Sequence, residues 1–184
     1  DLYLNEEDKK SERIVNDDYA VFLDEFISFH PDNYEMNKQD CSSEDYYPDI
    51  NRFFDKVESE FDTKVIIAVS PRSDYQSRGN LFNARQCVIN ETINLVKYSK
   101  FVIGHASTST NFAILYNKPM VFITSHKYSV RYKNNINYAI KFPILENKYD
   151  GINSTELREV MALNIVSGHA NIIELKDVLF NKYR

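Results

Sequence analysis

Short, unbroken runs of apolar residues recur along the chain, and they constrain its fold more than any other feature. They cover Tyr19–Leu23 and residues 64–70, 101–104 and 119–124, and the second of them (KVIIAVS) is the clearest. A strand that is buried on both faces of a sheet reads as a continuous apolar run, because neither face tolerates polar side chains. Each run is therefore predicted to be a strand inside a parallel sheet.

Helical patterns lie between these runs. Residues 47–61 place apolar side chains at helical spacing, with Pro48 near the start, and further helices are predicted over Thr92–Tyr98 and residues 107–116 and 128–141. Strands and helices that alternate in close succession indicate right-handed βαβ units. The expected fold class is therefore α/β: a Rossmann-like parallel sheet with helices on both faces.

Other segments give weaker signals. Cys87–Ile89 and residues 142–145 are candidate short strands, and residues 29–47 are rich enough in Pro, Asn, Asp and Ser to indicate a long loop. Towards the end of the chain, helices are expected over residues 153–162 and 174–182.

Length and composition indicate one ordinary globular domain. Of 184 residues, 43% are hydrophobic and 27% are charged, which excludes a disordered chain. We expect a charged N-terminal segment or linker over residues 1–17 and one Rossmann-like nucleotide-binding domain over residues 18–184. The chain does not open with Met, so an N-terminal partner domain is expected to be missing from it.

Three absences in the sequence bear on location and on metals. No apolar run approaches the length of about 20 residues that spans a membrane, and the chain opens without a signal-peptide pattern. The two cysteines, Cys41 and Cys87, lack metal-ligand spacing. We expect a cytoplasmic protein, with attachment to the inner face of the membrane as an open alternative.

The charge of the chain indicates which ligands suit it. A net charge of -5 argues against nucleic-acid partners, which require a basic surface. Acidic residues concentrate before Asp62, whereas residues 64–141 are richer in Arg and Lys. An anionic ligand such as a nucleotide diphosphate is therefore expected to bind in the second region.

The segment 100–125 carries the strongest functional signal, since it combines a strand ending at Gly104, a turn of small hydroxyl residues and a helix. The first amides of a helix lack internal partners and attract phosphate, and open α/β sheets bind ligands where their parallel strands end. Helix capping by Ser107 or Thr108 is the alternative, but it explains one hydroxyl and not four. The predicted contacts to a phosphate or nucleotide are Ser107, Thr108, Ser109, Thr110 and Asn111.

Arg72 and His105 are two further candidates for contacts with a phosphate or nucleotide. Arg72 directly follows the strand 64–70, where a guanidinium would clamp a diphosphate; the alternative is a solvated surface arginine. His105 precedes the hydroxyl turn. It would bind phosphate or ribose, or stabilise the departing nucleotide as a cation, unless it is a loop histidine bonded to the backbone.

Other candidates are weaker. Arg78 and Arg85 lie on or just after the same loop as Arg72, and His30-Pro31-Asp32 is interpreted as a structural turn rather than a catalytic pair. The sequence contains no HExxH, P-loop or GxSxG motif, so metal catalysis and acyl-transfer hydrolysis have no support.

Residues 64–125 resemble the C-terminal nucleotide-binding motif of GT-B glycosyltransferases. The likeness rests on the Gly-His-Ala-Ser-Thr-Ser turn, the preceding Ser-Pro-Arg loop and the Lys118-Pro119 step into the next strand. It is nearest to bacterial surface-polysaccharide transferases, with similar arrangements in CDP-glycerol glycerophosphotransferases and UDP-N-acetylglucosamine 2-epimerases. The Gly-Gly pair and the acidic residue that many such enzymes carry there are missing.

The resemblance implies the donor-binding half of a glycosyltransferase of bacterial surface-polysaccharide biosynthesis. Such an enzyme transfers a sugar from a nucleotide-sugar donor to a glycan or lipid-linked acceptor, without a bound metal or cofactor, and its catalytic base comes from the N-terminal domain. A sugar-nucleotide epimerase or a glycerophosphate-type transferase remains open, because both use the same half-site. A non-catalytic Rossmann-like module that binds nucleotide or protein remains open as well.

Overall fold

The computed structural model describes residues 12–145 and 161–164. Six strands form one sheet in the order β3-β2-β1-β4-β5-β6, and all neighbouring strands are parallel. The strands are β1 (Tyr19–Leu23), β2 (Lys64–Val69), β3 (Cys87–Ile89), β4 (Val102–Gly104), β5 (Met120–Thr124) and β6 (Met161–Asn164).

Helices follow the strands β1, β3, β4 and β5, while a loop with a short 3-10 turn joins β2 to β3. The α/β, Rossmann-like fold class predicted from the sequence is therefore confirmed. Short 3-10 turns cover Ile27–Phe29 and Tyr75–Ser77. The helices are α1 (Pro31–Glu35), α2 (Ser43–Phe61), α3 (Thr92–Tyr98), α4 (Thr110–Leu115) and α5 (Val130–Leu145).

The apolar runs form the centre of the core. All five residues of β1 are buried, and this strand pairs in register with β2 on one side and β4 on the other. The one polar group of the run, the Tyr19 hydroxyl, donates to the carbonyl oxygen of Leu95 at 2.8 Å, so its burial leaves no hydrogen bond unmade.

The expectation of a long loop over residues 29–47 is wrong at two places. Helix α1 lies within it, and helix α2 begins at Ser43 instead of residue 47. Both helices have local start signals that outweigh the loop-like composition. Pro31 occupies the first position of α1, while the Ser42 hydroxyl accepts from the Asp45 amide at 3.2 Å and caps α2.

The later part of the chain also differs from expectation. Residues 142–145 belong to helix α5 and do not form a strand, because the helix that begins at Val130 continues through them. The helix expected over 153–162 is wrong at its end, since Met161 and Ala162 belong to β6 and pair with β5. Residues 153–160 and the helix expected over 174–182 lie outside the described residues, as do residues 1–11 of the expected N-terminal segment.

The strand order creates the feature that positions the site. The chain builds the sheet outward from β1 through β2 to β3, and then returns to the other side of β1 to add β4, β5 and β6. The loops that follow β1 and β4 therefore run in opposite directions. They leave a crevice at the carboxyl edge of the sheet, which is where open α/β sheets bind ligands.

Candidate functional site

A cavity of about 460 Å³ lies in this crevice. Residues at the carboxyl ends of three adjacent strands, and in the loops after them, build it. Residues 23–25 and His30 end or follow β1, residues 68–72 end or follow β2, and residues 106–109 follow β4. Thr92 adds one side chain from the start of α3. The cavity thus brings together the two loops that the sequence pointed to, those of Arg72 and of the hydroxyl turn.

The hydroxyl turn forms one wall of the cavity. Ser107, Thr108 and Ser109 line it, and the Ser107 hydroxyl accepts from the Ser109 amide at 3.2 Å. Thr110 is buried, and its hydroxyl donates to the Ser107 carbonyl oxygen at 2.7 Å. Thr110 therefore shapes the turn from behind. Asn111 is exposed and, like Thr110, does not belong to the cavity lining.

Helix α4 is shorter than expected. It begins at Thr110 rather than residue 107 and has only six residues. The Thr110, Asn111 and Phe112 amides donate to the carbonyl oxygens of residues 107, 108 and 109 respectively. A helix this short carries a small dipole, so the turn offers side-chain hydroxyls to a ligand more than a helix end.

A carboxylate already occupies part of the predicted phosphate-binding turn. Glu25 Oε1 accepts from the Ala106 amide at 2.6 Å, and Glu25 lines the cavity beside Ser107. Burial, the largest cause, raises the pKa of Glu25 to about 7, although the amide hydrogen bond favours its charged form. Sequence reasoning missed Glu25, whose only signal is its place directly after a buried strand.

Asp24 supports the opposite wall. Its carboxyl group accepts from the Phe26 amide at 3.0 Å, the Ser70 amide at 3.3 Å and the Tyr75 hydroxyl at 2.9 Å. Burial again dominates and raises the pKa of Asp24 to about 6. Because Ser70 begins the loop that carries Arg72, the two consecutive carboxyl groups at the end of β1 hold the two facing walls of the cavity.

Arg72 lies at the cavity, as the sequence predicted for its position. Its side chain is 66% exposed, and its ion pair with Asp32 is long, 3.9 Å from Nη1 to Oδ1. His30 lines the same cavity, and its Nδ1 accepts from the Asp32 amide at 3.3 Å. The interpretation of His30-Pro31-Asp32 as a structural turn is therefore wrong: Pro31 and Asp32 begin helix α1, and His30, just before it, contributes to the cavity.

His105 lies behind the cavity rather than in it. The ring is fully buried; Nδ1 donates to the Ile123 carbonyl oxygen at 2.8 Å, so Nε2 accepts from the Tyr46 hydroxyl at 3.0 Å. Burial lowers the pKa of His105 from its ordinary value of 6.5 to about 4. The expected role as a cationic leaving-group stabiliser is therefore corrected: His105 is a neutral, fully bonded core residue.

The two weaker arginine candidates are structural. The Arg85 guanidinium is buried and forms a bidentate pair with Glu58, at 3.1 and 2.7 Å. Arg78 is paired with Asp74 and lies 4.0 Å above the Phe29 ring. Neither belongs to the lining of the cavity.

The described part of the chain holds neither a metal-binding cluster nor a membrane-spanning helix. No group of three or more His, Cys, Asp or Glu side chains is placed there to hold a metal ion. Within residues 12–145 and 161–164, no helix is both long and apolar enough to cross a lipid bilayer.

No protein-family model and no curated protein matches the sequence. Among solved structures, the fold is similar to the glycosyltransferase SnogD from Streptomyces nogalater, with a TM-score of 0.45 and 9% sequence identity. The alignment covers 91% of this chain and 36% of SnogD, so the chain spans about a third of that protein's length. A likeness this distant establishes no function.

Proposed function

We propose that the chain is the donor-binding half of a glycosyltransferase and that a nucleotide-activated sugar binds in the cavity at the carboxyl edge of the sheet. One observation carries the proposal. Arg72 on one wall faces the hydroxyl turn Ser107–Ser109 on the other, at the point where the strand order reverses. Guanidinium and hydroxyl groups are the donors that phosphate oxygens prefer, and the reversal point is the usual ligand site of such sheets.

The proposed chemistry is stabilisation of the leaving group. As the bond from the sugar to the donor phosphate breaks, negative charge builds on the phosphate oxygens, and Arg72 together with the turn hydroxyls would stabilise it. We place the acceptor, a glycan or a lipid-linked glycan of a bacterial surface polysaccharide, and the catalytic base on a partner domain that precedes this one.

Binding of a donor tests the proposal directly. The protein is screened by thermal shift and titration calorimetry against UDP-glucose, GDP-mannose, CDP-glycerol and CMP-N-acetylneuraminate. We expect one of them to bind, and we expect Arg72→Ala and the double variant Ser107→Ala with Ser109→Ala each to weaken binding by about tenfold or more, because each removes charged or multiple hydrogen bonds of about 1.5–3 kcal/mol.

Matched controls separate the site from general effects. Arg52→Ala removes an arginine that is 61% exposed and singly paired, much like Arg72, but lies on helix α2. Ser59→Ala removes a serine on the same helix whose hydroxyl bonds only the Lys56 carbonyl oxygen. Neither is expected to change the affinity. Failure of every compound in the panel to bind would contradict the proposal.

Product analysis separates the related enzymes that share such a half-site. In the presence of a partner domain and an acceptor, a glycosyltransferase releases free nucleotide from its donor. An epimerase instead returns an altered sugar that is still attached to its nucleotide. A glycerophosphate-type transferase releases CMP from CDP-glycerol.

A further inference from the structure

The cavity carries more negative than positive groups. Among the described residues that line the cavity, Asp24 and Glu25 are acidic, and only Arg72 carries a permanent positive charge. A nucleotide sugar brings one or two further negative charges into the same space. Like charges a few ångströms apart repel strongly in a partly buried site, so donor binding requires some relief of this repulsion.

Glu25 is the acid that lies nearest the hydroxyl turn. Its Oε1 is held 2.6 Å from the Ala106 amide, and it lines the cavity together with Ser107 and Ser109. The Glu25 side chain is only partly exposed, so water screens its charge incompletely. Proton uptake is the simple way to remove this charge while the hydrogen bond to Ala106 is kept.

We propose that Glu25 takes up one proton from solvent when the anionic donor binds, and that its neutral carboxyl group then donates a hydrogen bond to the donor. The proton adds to one carboxylate oxygen, and the other oxygen continues to accept from the Ala106 amide. A neutral carboxyl group has an O–H donor that a carboxylate lacks, so a repulsive contact becomes an attractive one. The inference rests on the proposed function, because it requires an anionic donor in this cavity.

The groups around Glu25 leave a pH window in which it titrates almost alone. Burial raises the pKa of Glu25 to about 7 and that of Asp24 to about 6, while it lowers the pKa of His105 to about 4. Arg72 stays charged throughout. His30 has an imidazole and needs its own control. The titratable and charged groups that line the cavity with Glu25 or interact with it are Asp24, His30, Arg72, Tyr128 and Tyr132, while His105 lies behind the cavity.

The two tyrosines from the α5 side do not interfere, since burial raises the pKa of both far above the ordinary value. Above pH 7, therefore, loss of the Glu25 proton is expected to dominate the pH dependence of donor affinity.

The test measures donor affinity at pH 7.0 and pH 8.5 by titration calorimetry, with the four compounds of the panel as probes. Their phosphodiester and pyrophosphate-diester groups do not titrate in this range. We expect the wild-type affinity to fall by about tenfold between the two pH values, as linkage of one proton requires. Glu25→Gln keeps the shape and the donor of the neutral carboxyl group, so it is expected to bind as tightly at pH 8.5 as at pH 7.0.

A second readout counts the proton directly. Titrations of the wild-type protein at pH 8.0 in two buffers with different ionisation enthalpies are expected to show proton uptake, and Glu25→Gln is expected to show none. His30→Gln is expected to keep the wild-type pH dependence. Glu44→Gln, which changes an exposed glutamate at the start of α2, serves as the matched control for charge.

The outcomes distinguish this inference from the function on which it rests. Donor binding that is independent of pH, or that is weakened by Glu25→Gln at both pH values, overturns the role of Glu25 alone. A pH dependence that disappears in His30→Gln overturns it as well. If no compound binds to either protein, the proposed function fails and this inference fails with it.

Discussion

At the scale of single residues, His105 shows how a polar side chain specifies a core. Its ring lies 5.4–5.8 Å from the rings of Phe22, Tyr46, Tyr128 and Tyr132, centroid to centroid. Both nitrogens are bonded to fixed partners on α2 and β5, at 3.0 and 2.8 Å. A buried side chain whose hydrogen bonds are all made rigidifies its surroundings, whereas a bond left unmade is costly. His105 thereby fixes the base of the hydroxyl turn without touching a ligand.

We predict that His105→Phe destabilises the protein by about 2–4 kcal/mol at pH 7.5, because the Tyr46 hydroxyl and the Ile123 carbonyl oxygen lose their buried partner. Urea unfolding followed by circular dichroism measures the change. A variant as stable as the wild type would show that these two hydrogen bonds are not important in solution.

The same residue gives a pH dependence with a definite sign. The folded-state pKa of His105 lies below its free value of 6.5, at about 4, so its contribution is complete above pH 6.5 and is lost as the pH falls towards 4. That loss is worth about 3 kcal/mol, and a phenylalanine cannot undergo it. The stability difference between wild type and His105→Phe should therefore shrink between pH 7.5 and pH 5.0. A constant difference would contradict a neutral, buried histidine.

Sequence position located Arg72 at the carboxyl edge of the sheet, but sequence reasoning missed Asp24 and Glu25. A residue just after a parallel strand reaches the ligand edge of the sheet whatever its type, which is why position alone located Arg72. The same argument applies to Asp24 and Glu25, which follow Leu23, but an acidic pair looks like the start of a solvated loop. Whether a carboxyl group turns inward depends on amides from distant loops, and no local pattern encodes those.

At the scale of elements, the loop before β3 depends on helix α2. Arg85 is held there by the carboxylates of Glu58 and Asp55 and by the Asn51 side-chain oxygen, at 2.6–3.1 Å. The Arg85 side chain is only 7% exposed. The carboxylates of Glu58 and Asp55 are 31% and 62% exposed, so they regain water when the guanidinium is removed. The cost of removing Arg85 therefore lies in its own buried hydrogen bonds and packing, and it exceeds the loss of a surface pair.

We predict that Arg85→Ala lowers the free energy of unfolding by about 3 kcal/mol. Arg52→Ala removes an exposed guanidinium from Asp49, a buried carboxylate that keeps its pair with Lys127, and is expected to lower it by less than about 1 kcal/mol. Chemical denaturation of the two variants in parallel tests this. Equal effects would show that burial of the guanidinium does not matter. Donor binding by Arg85→Ala, measured where the protein remains folded, should match that of the wild type.

The boundaries of the elements followed from local chemistry only in part. Three elements have the bounds that the sequence predicted: β1 (Tyr19–Leu23), β3 (Cys87–Ile89) and α3 (Thr92–Tyr98). Helix α4 is shorter than its pattern suggested, since the Ser107 and Thr110 hydroxyls bond to the backbone within the turn and favour a compact turn over a helical one.

At the scale of the whole molecule, the sheet order sets where the structure is most stable. Strand β1 is paired on both edges and its side chains are all buried, whereas β3 has one pairing partner and exposes Ile89 by 49%. Amide hydrogens in central, buried strands exchange only through large unfolding events, whereas those in edge strands exchange through local opening.

Hydrogen exchange should reflect this gradient. We predict the slowest exchange for amides of β1 and for the β2 residues that pair with it, and exchange faster by two orders of magnitude or more in β3, as expected where local opening replaces global unfolding. Exchange of native protein at pH 7, followed by mass spectrometry or NMR, measures it. Equal protection of β1 and β3 would contradict the sheet order.

The fold class was predictable because its signals are repetitive and local, but the strand order was not. Continuous apolar runs separated by helices require a parallel sheet, whatever the arrangement of its strands. The reversal at β1, and with it the location of the cavity, arises when the chain returns from β3 to pair Val102 with Val21. That choice depends on contacts between residues about eighty positions apart.

Asp24 and Glu25 face opposite walls because consecutive residues of an extended chain point to opposite sides. The position of each residue along β1 therefore decides which wall its carboxyl group meets. Insertion or deletion of one residue there would exchange the two carboxyl groups and deprive both walls of their anchors at once, whereas a change of two residues would restore the alternation. A cavity lined by the loops that follow β2 and β4 thus tolerates changes in those loops more readily than a one-residue shift in β1, which lies between the two strands.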